Sequence, residues 1–85
     1  MSMNITIHSV GKITTPNGKI IDYEKPFDCV QTPTQVTWDI LESSSPITAY
    51  KNWLVDNNHE YNLKDFEKFI KESEDGGFEI EVSYI

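Results

Sequence analysis

Residues 78–84 read Phe-Glu-Ile-Glu-Val-Ser-Tyr, so Phe78, Ile80, Val82 and Tyr84 alternate with Glu79, Glu81 and Ser83. A two-residue period is that of a β-strand with one apolar and one polar face. Wound as a helix, the same four apolar side chains would scatter around the axis. A strand needs partners for its backbone N–H and C=O groups, and the other strand-like material lies at the opposite end of the chain. Ile5 and Ile7 alternate with Thr6 and His8, and the segment stays β-like through Ile13. Thr15-Pro16-Asn17-Gly18 then makes a turn, because proline pre-sets φ at the second position and Asn-Gly tolerates the left-handed conformations that follow. Lys19-Ile20-Ile21-Asp22-Tyr23 is the return strand of a hairpin. Pro26, which lacks an N–H, is expected to end or bend it. An isolated hairpin is marginal and three strands are not. The C-terminal strand is therefore expected to pair with the N-terminal hairpin.

Three helices fill the interval. Thr32-Pro33-Thr34-Gln35 reads as a helix start, with Thr32 as cap, Pro33 at the first helical position and Gln35 completing a capping box. Val36 and Ile40, joined by Trp38 and Leu41, supply its apolar stripe, and Ser43-Ser44-Ser45 breaks it. Ser45-Pro46 opens a second helix with Ile47, Tyr50, Trp53 and Leu54 on one face, and Asn57-Asn58 stops it. Asn62 is read as the cap of a third, with Leu63, Phe66, Phe69 and Ile70 as its stripe and Gly76-Gly77 at its end. The expectation is a single α+β domain over residues 1–85, in the order β-β-α-α-α-β, with a mainly antiparallel three-stranded sheet covered on one face by helices.

Composition narrows the chemistry. One cysteine, Cys29, excludes an intrachain disulfide. Flanked by Phe27 and Val30, it reads as a small buried hydrophobe. The N-terminus has no basic segment followed by a long apolar run, so no signal peptide is expected, and no stretch is apolar enough to span a membrane. The expected location is the cytoplasm, a host's cytoplasm if the gene is viral. The absence of arginine beside abundant Lys, Asn and Ile points to an AT-rich gene, as in a low-GC bacterium or a phage.

No catalytic motif is present. The four glycines, Gly11, Gly18, Gly76 and Gly77, form neither a phosphate loop nor a dinucleotide fingerprint. Without arginine the chain lacks the usual bidentate clamp for phosphate or carboxylate substrates. An enzyme would have to use Cys29 as a nucleophile or Asp56, His59 and Glu60 as metal ligands. A reactive thiol needs a neighbouring base, and a metal site needs three or four converging ligands. A solvated polar loop is the plainer reading of residues 56–60. No enzyme activity, cofactor or metal is expected.

Charge gives the remaining signal. Residues 1–27 carry a net charge of +1 and residues 28–85 a net of −8, within a chain of −7. In the third helix Lys64, Lys68 and Lys71 interleave with Asp65 and Glu67, and Glu67 to Lys71 has the favourable i,i+4 orientation. Glu72, Glu74, Asp75, Glu79 and Glu81 follow with no base among them. The first three fall near a helix C-terminus, where the macrodipole disfavours carboxylates. Two readings of this segment compete. It keeps the protein dissolved and blocks edge-to-edge aggregation, or it faces a basic partner. A partner surface implies a small protein-binding modulator or inhibitor, phage-encoded or antitoxin-like, whose acids engage a basic protein that handles nucleic acid. The alternative is direct RNA or DNA contact through Lys12, Lys19 and Lys25 of the hairpin, opposed by the −8 remainder. Self-association, as a homo-oligomer, is left open: Trp38, Trp53, Tyr61 and Tyr84 exceed what a three-helix cover needs, although core packing is the favoured role of either tryptophan.

Overall fold

The computed structural model describes residues 4–85, and its first two strands are set by the turn between them. β1 (Ile5–Thr14) and β2 (Ile20–Phe27) run antiparallel, with Thr14 opposite Ile20 and Ile7 opposite Phe27. Gly18 takes a φ of +84°, a conformation that a Cβ would strain. Its N–H donates to the Thr15 carbonyl at 2.9 Å, and the Thr15 N–H donates to the Lys19 carbonyl at 2.7 Å. Of the two roles expected of it, Pro26 does not end β2; it lies within the strand, opposite His8. The strand order is β2-β1-β3, so β2 is an edge strand. An edge has a row of N–H positions without partners, where a proline removes no ladder bond.

β3 (Glu79–Tyr84) pairs antiparallel with the other side of β1, from Ile5 opposite Tyr84 to Val10 opposite Glu79. β1 is thus the central strand, which explains why its inward side chains are the most completely covered. Ile5, Ile7 and Ser9 are buried, while their neighbours Thr6, His8 and Val10 are half-exposed. Because β3 stops opposite Val10, the remainder of the hairpin projects as a two-stranded ribbon with Ile13, Ile20 and Ile21 exposed.

α1 (Thr34–Glu42), α2 (Pro46–Asp56) and α3 (Glu60–Asp75) cover the Ile5–Ile7–Ser9 face. The core consists of Ile5, Ile7, Ile40, Tyr50, Leu54, Phe66 and Phe69. Phe66 meets Phe27 and Tyr50 edge-on, with ring centroids 5.1 and 5.0 Å apart, the arrangement that aromatic quadrupoles favour. Trp38, assigned above to the core, is instead 40% exposed at the end of the sheet, where it touches Tyr84.

Two helix starts differ from expectation. Thr32 does not cap α1. It is buried, and its hydroxyl pairs with that of Thr37 at 2.5 Å, while Pro33 occupies the cap position. Gln35 forms no capping box and donates to Asp39 at 3.0 Å. A buried hydroxyl left alone costs about 1–3 kcal/mol, whereas an orphan N–H at an exposed helix start is solvated by water, so the buried threonine pair takes precedence. α3 begins at Glu60 with His59 in the cap position, three residues before the expected cap Asn62. Asn58 adopts a φ of +59°, the His59 N–H returns to the Leu54 carbonyl at 2.9 Å, and the His59 ring stacks on Trp53 at 5.2 Å. That stacking fixes His59 as the residue from which α3 departs.

The end of α3 follows the glycine reading closely. Gly77 has a φ of +74°, the Gly77 N–H donates to the Glu74 carbonyl at 3.0 Å and the Phe78 N–H to the Ser73 carbonyl at 2.9 Å. These two bonds are the Schellman closure, which satisfies orphan carbonyls and turns the chain into β3. Phe78 then lies between two glycines. A Cβ on Gly11 or on Gly76 would sit 2.6 Å from its ring, and the opposing Tyr23 ring stacks on it at 4.0 Å.

Candidate functional site

Strand register decides which charges share a surface. Opposite residues in a sheet point the same way, and successive residues point to opposite faces. The helix-free face therefore carries Thr6, His8, Val10 and Lys12 from β1, with Ser83, Glu81 and Glu79 beside them on β3 and Pro26, Glu24 and Asp22 on β2. Glu24 and Glu79 flank Val10 on its two sides, and Glu81 lies opposite His8. Three carboxylates thus converge on one flat patch. Adjacent strands are ~4.8 Å apart, which places the Glu24 and Glu79 backbones ~10 Å apart across the patch. Glu79 and Glu81 are ~6.8 Å apart along β3.

The rest of this face is locally balanced. Lys12 binds Asp22, and the Thr6 and Ser83 hydroxyls hydrogen-bond at 2.7 Å. His8 Nδ1 lies 3.0 Å from Glu24 Oε1 and is itself shielded from solvent, without a hydrogen bond among the described residues. Glu79 and Glu81 are exposed and have no ion-pair partner among the described residues.

The five acids singled out by sequence do not form one surface. Glu72, Glu74 and Asp75 sit on α3, on the helical side of the sheet, and Glu79 and Glu81 face the other way. Nor do two of the three helical acids lack bases. Glu72 lies 3.7 Å from Lys25 Nζ and 3.9 Å from Lys68 Nζ, and Asp75 lies 3.3 Å from Lys71 Nζ. Lys68 and Lys71 reach one helical turn forward to these acids, and Lys71 pairs with Asp75 rather than with Glu67. Exposed pairs of this kind contribute little each, but they offset the macrodipole penalty at the helix end. Glu74 lines an open groove of about 600 Å³ between α2 and α3, together with Ile47, Ile70, Lys51 and Lys71.

The hairpin lysines also separate. Lys12 points to the helix-free face and binds Asp22, Lys25 points to the helical side and binds Glu72, and Lys19 sits at the exposed turn. Only Lys19 of the three has no carboxylate partner among the described residues.

Cys29 is half-buried beneath β1, and burial pushes its thiol up to about 11, opposed in part by hydrogen bonding to the Tyr50 hydroxyl and the Ile7 backbone. The Tyr50 hydroxyl is itself held by the Val30 N–H at 2.9 Å, and its pKa is raised by the same burial. At pH 8 a shift of this size lowers the thiolate population about a hundredfold, and the greater basicity of that thiolate returns about tenfold in reactivity. Iodoacetamide is therefore expected to alkylate native Cys29 about tenfold more slowly than the denatured chain. The difference should shrink as pH rises towards 11, and equal rates at pH 8 would contradict the burial argument. Asp56, His59 and Glu60 do not gather: His59 is turned onto Trp53, and no group of three metal-ligating side chains occurs among the described residues.

Glu24 was missed by sequence reading, because its place beside Glu79 depends on two strand registers at once. The alternation of residues 20–27 around Asp22 and Glu24 was the available signal. No described helix is long and apolar enough to cross a membrane. Compared with protein-family models, curated proteins and solved structures, the chain matches none.

Proposed function

We propose that this protein is a binding modulator, inhibitor-like or antitoxin-like, which uses the helix-free face of its sheet to occupy a basic protein that handles nucleic acid. The observation that carries this reading is the placement of Glu24, Glu79 and Glu81 on one sheet face where, among the described residues, Lys12 is the only lysine and is already bound to Asp22. Lysine and arginine side chains that grip a nucleic-acid backbone would meet carboxylates instead. The ~6.8 Å spacing of Glu79 and Glu81 is that of alternate phosphates in projection, successive phosphates of one strand lying ~3.4 Å apart along the axis. Encounter on such a face is steered by charge, fast at low ionic strength and slowed as salt screens it. Direct nucleic-acid binding through the hairpin has less support, since Lys12 and Lys25 are engaged by acids of the same chain.

The test is a titration with a nona-arginine peptide followed by backbone amide chemical shifts. The largest shifts are expected at residues 8, 10, 24, 79 and 81. Replacing Glu24, Glu79 and Glu81 together by Gln should weaken binding about tenfold or more, whereas Glu72→Gln with Asp75→Asn should leave it within about twofold. Equal losses from both sets would reduce the effect to the overall charge of −7 and reject a specific face.

A further inference from the structure

The free edge of β3 adjoins the acidic face. With the order β2-β1-β3, β3 has a strand on one side only, and residues 79–84 make no backbone hydrogen bond beyond that pairing among the described residues. Natural sheets blunt such edges with charged side chains, lysine above all, or with proline, a bulge or a cover. The opposite edge carries Lys25 and Pro26. β3 carries neither residue type; its charges are Glu79 and Glu81, which oppose a like-charged strand but not a basic one, and its register with β1 runs unbroken from Glu79 to Tyr84. Beside its helical side stands an exposed aromatic pair, Trp38 of α1 against Tyr84, with ring centroids 5.4 Å apart and exposures of 40% and 53%. Tryptophan and tyrosine dominate binding hot spots.

Charge decides what can occupy this edge. A second copy is disfavoured in the registers that pair most of β3. Two-fold pairing of β3 with itself centred on Ile80 or Glu81 sets a glutamate directly opposite a glutamate of the copy, and centring on Val82 leaves the two Glu81 side chains diagonal neighbours. Like charges in those positions repel. A basic strand meets the opposite situation. We infer that the free edge of β3 accepts an added strand from the basic partner, an extended segment in which Lys or Arg alternates with apolar residues. Its basic side chains lie beside Glu79 and Glu81, and its apolar ones lie beside Tyr84 and Trp38. Main-chain pairing supplies affinity, and the alternation supplies selectivity. This inference rests on the acidic-face reading and adds the mode of binding to it.

The probe is a fluorescently labelled heptapeptide of alternating Lys and Val, compared with a blocked isomer of the same composition and with the alternating peptide N-methylated at every second residue. The full chain is titrated with each and followed by anisotropy. The alternating peptide is expected to bind about tenfold or more tightly than either control. Glu79→Gln with Glu81→Gln should remove most of that binding, and Trp38→Ala should weaken it several-fold with an unchanged circular dichroism spectrum. Equal binding of all three peptides, still lost on the glutamate substitutions, overturns strand addition and leaves the acidic face standing. Binding indifferent to the glutamates, or no binding of any peptide, overturns both. A concentration-dependent dimer of the protein alone in sedimentation would assign the edge to a second copy and reject the inference.

Discussion

Phe66→Ala is expected to lower the unfolding free energy by about 3–5 kcal/mol, the range for truncating a fully buried phenylalanine. Phe66 has no exposed surface, and its ring contacts Phe27 of β2 and Tyr50 of α2 from a position on α3. It is a side chain through which three elements touch, so its removal leaves a cavity that none can close without moving off the others. Small domains have about 5–15 kcal/mol in total, so this variant retains little. Urea unfolding followed by circular dichroism measures the loss. Phe66→Leu, which keeps much of the apolar volume, should lose less. A loss below about 1 kcal/mol for the alanine variant would place the ring among ordinary surface positions and contradict its role.

Gly11→Ala is expected to destabilise by about 1–3 kcal/mol, here through overpacking rather than a cavity. The added methyl would fall 2.6 Å from the Phe78 ring, which Gly76 confines from another direction at the same distance and Tyr23 covers by stacking. The ring cannot retreat without breaking that stack or shifting the Schellman turn at Gly76-Gly77. A double-mutant cycle with Phe78→Leu separates this mechanism from a backbone effect. Much of the Gly11→Ala loss should vanish when the ring is absent, giving a coupling of about 1 kcal/mol or more. Additive losses would mean that the methyl meets something else. Gly18→Ala is the useful contrast: nothing lies near its Cβ, so its φ of +84° alone sets the effect.

The candidate site was partly legible. Glu79 and Glu81 were placed on a solvent-facing strand surface by alternation alone, since the apolar residues between them had to face the core. Their neighbour Glu24 was not, because it lies 55 positions from Glu79 in the chain and reaches it only across β1. Glu72 and Asp75 were grouped with them by proximity in sequence. The reversal at Gly76-Gly77 separates the two pairs onto opposite sides of the sheet, and Lys25 arrives from β2 to meet Glu72. A run of like charge is a linear property, and a charged surface is not.

By itself the sequence determined the element order, the hairpin turn and the glycine stop of α3. These depend on local conformational preference: proline and glycine restrict or free φ within a few residues, and side-chain period follows from backbone geometry. Tertiary structure decided that β1 is central, that Pro26 lies inside an edge strand, that Thr32 is spent on Thr37 rather than on a cap, and that Trp38 stands at the sheet edge. Each of those outcomes depends on which groups are hidden from water once distant segments meet. Burial reorders local preferences because an unpaired hydroxyl or a misplaced ring carries a larger penalty inside the protein than an uncapped helix does at its surface.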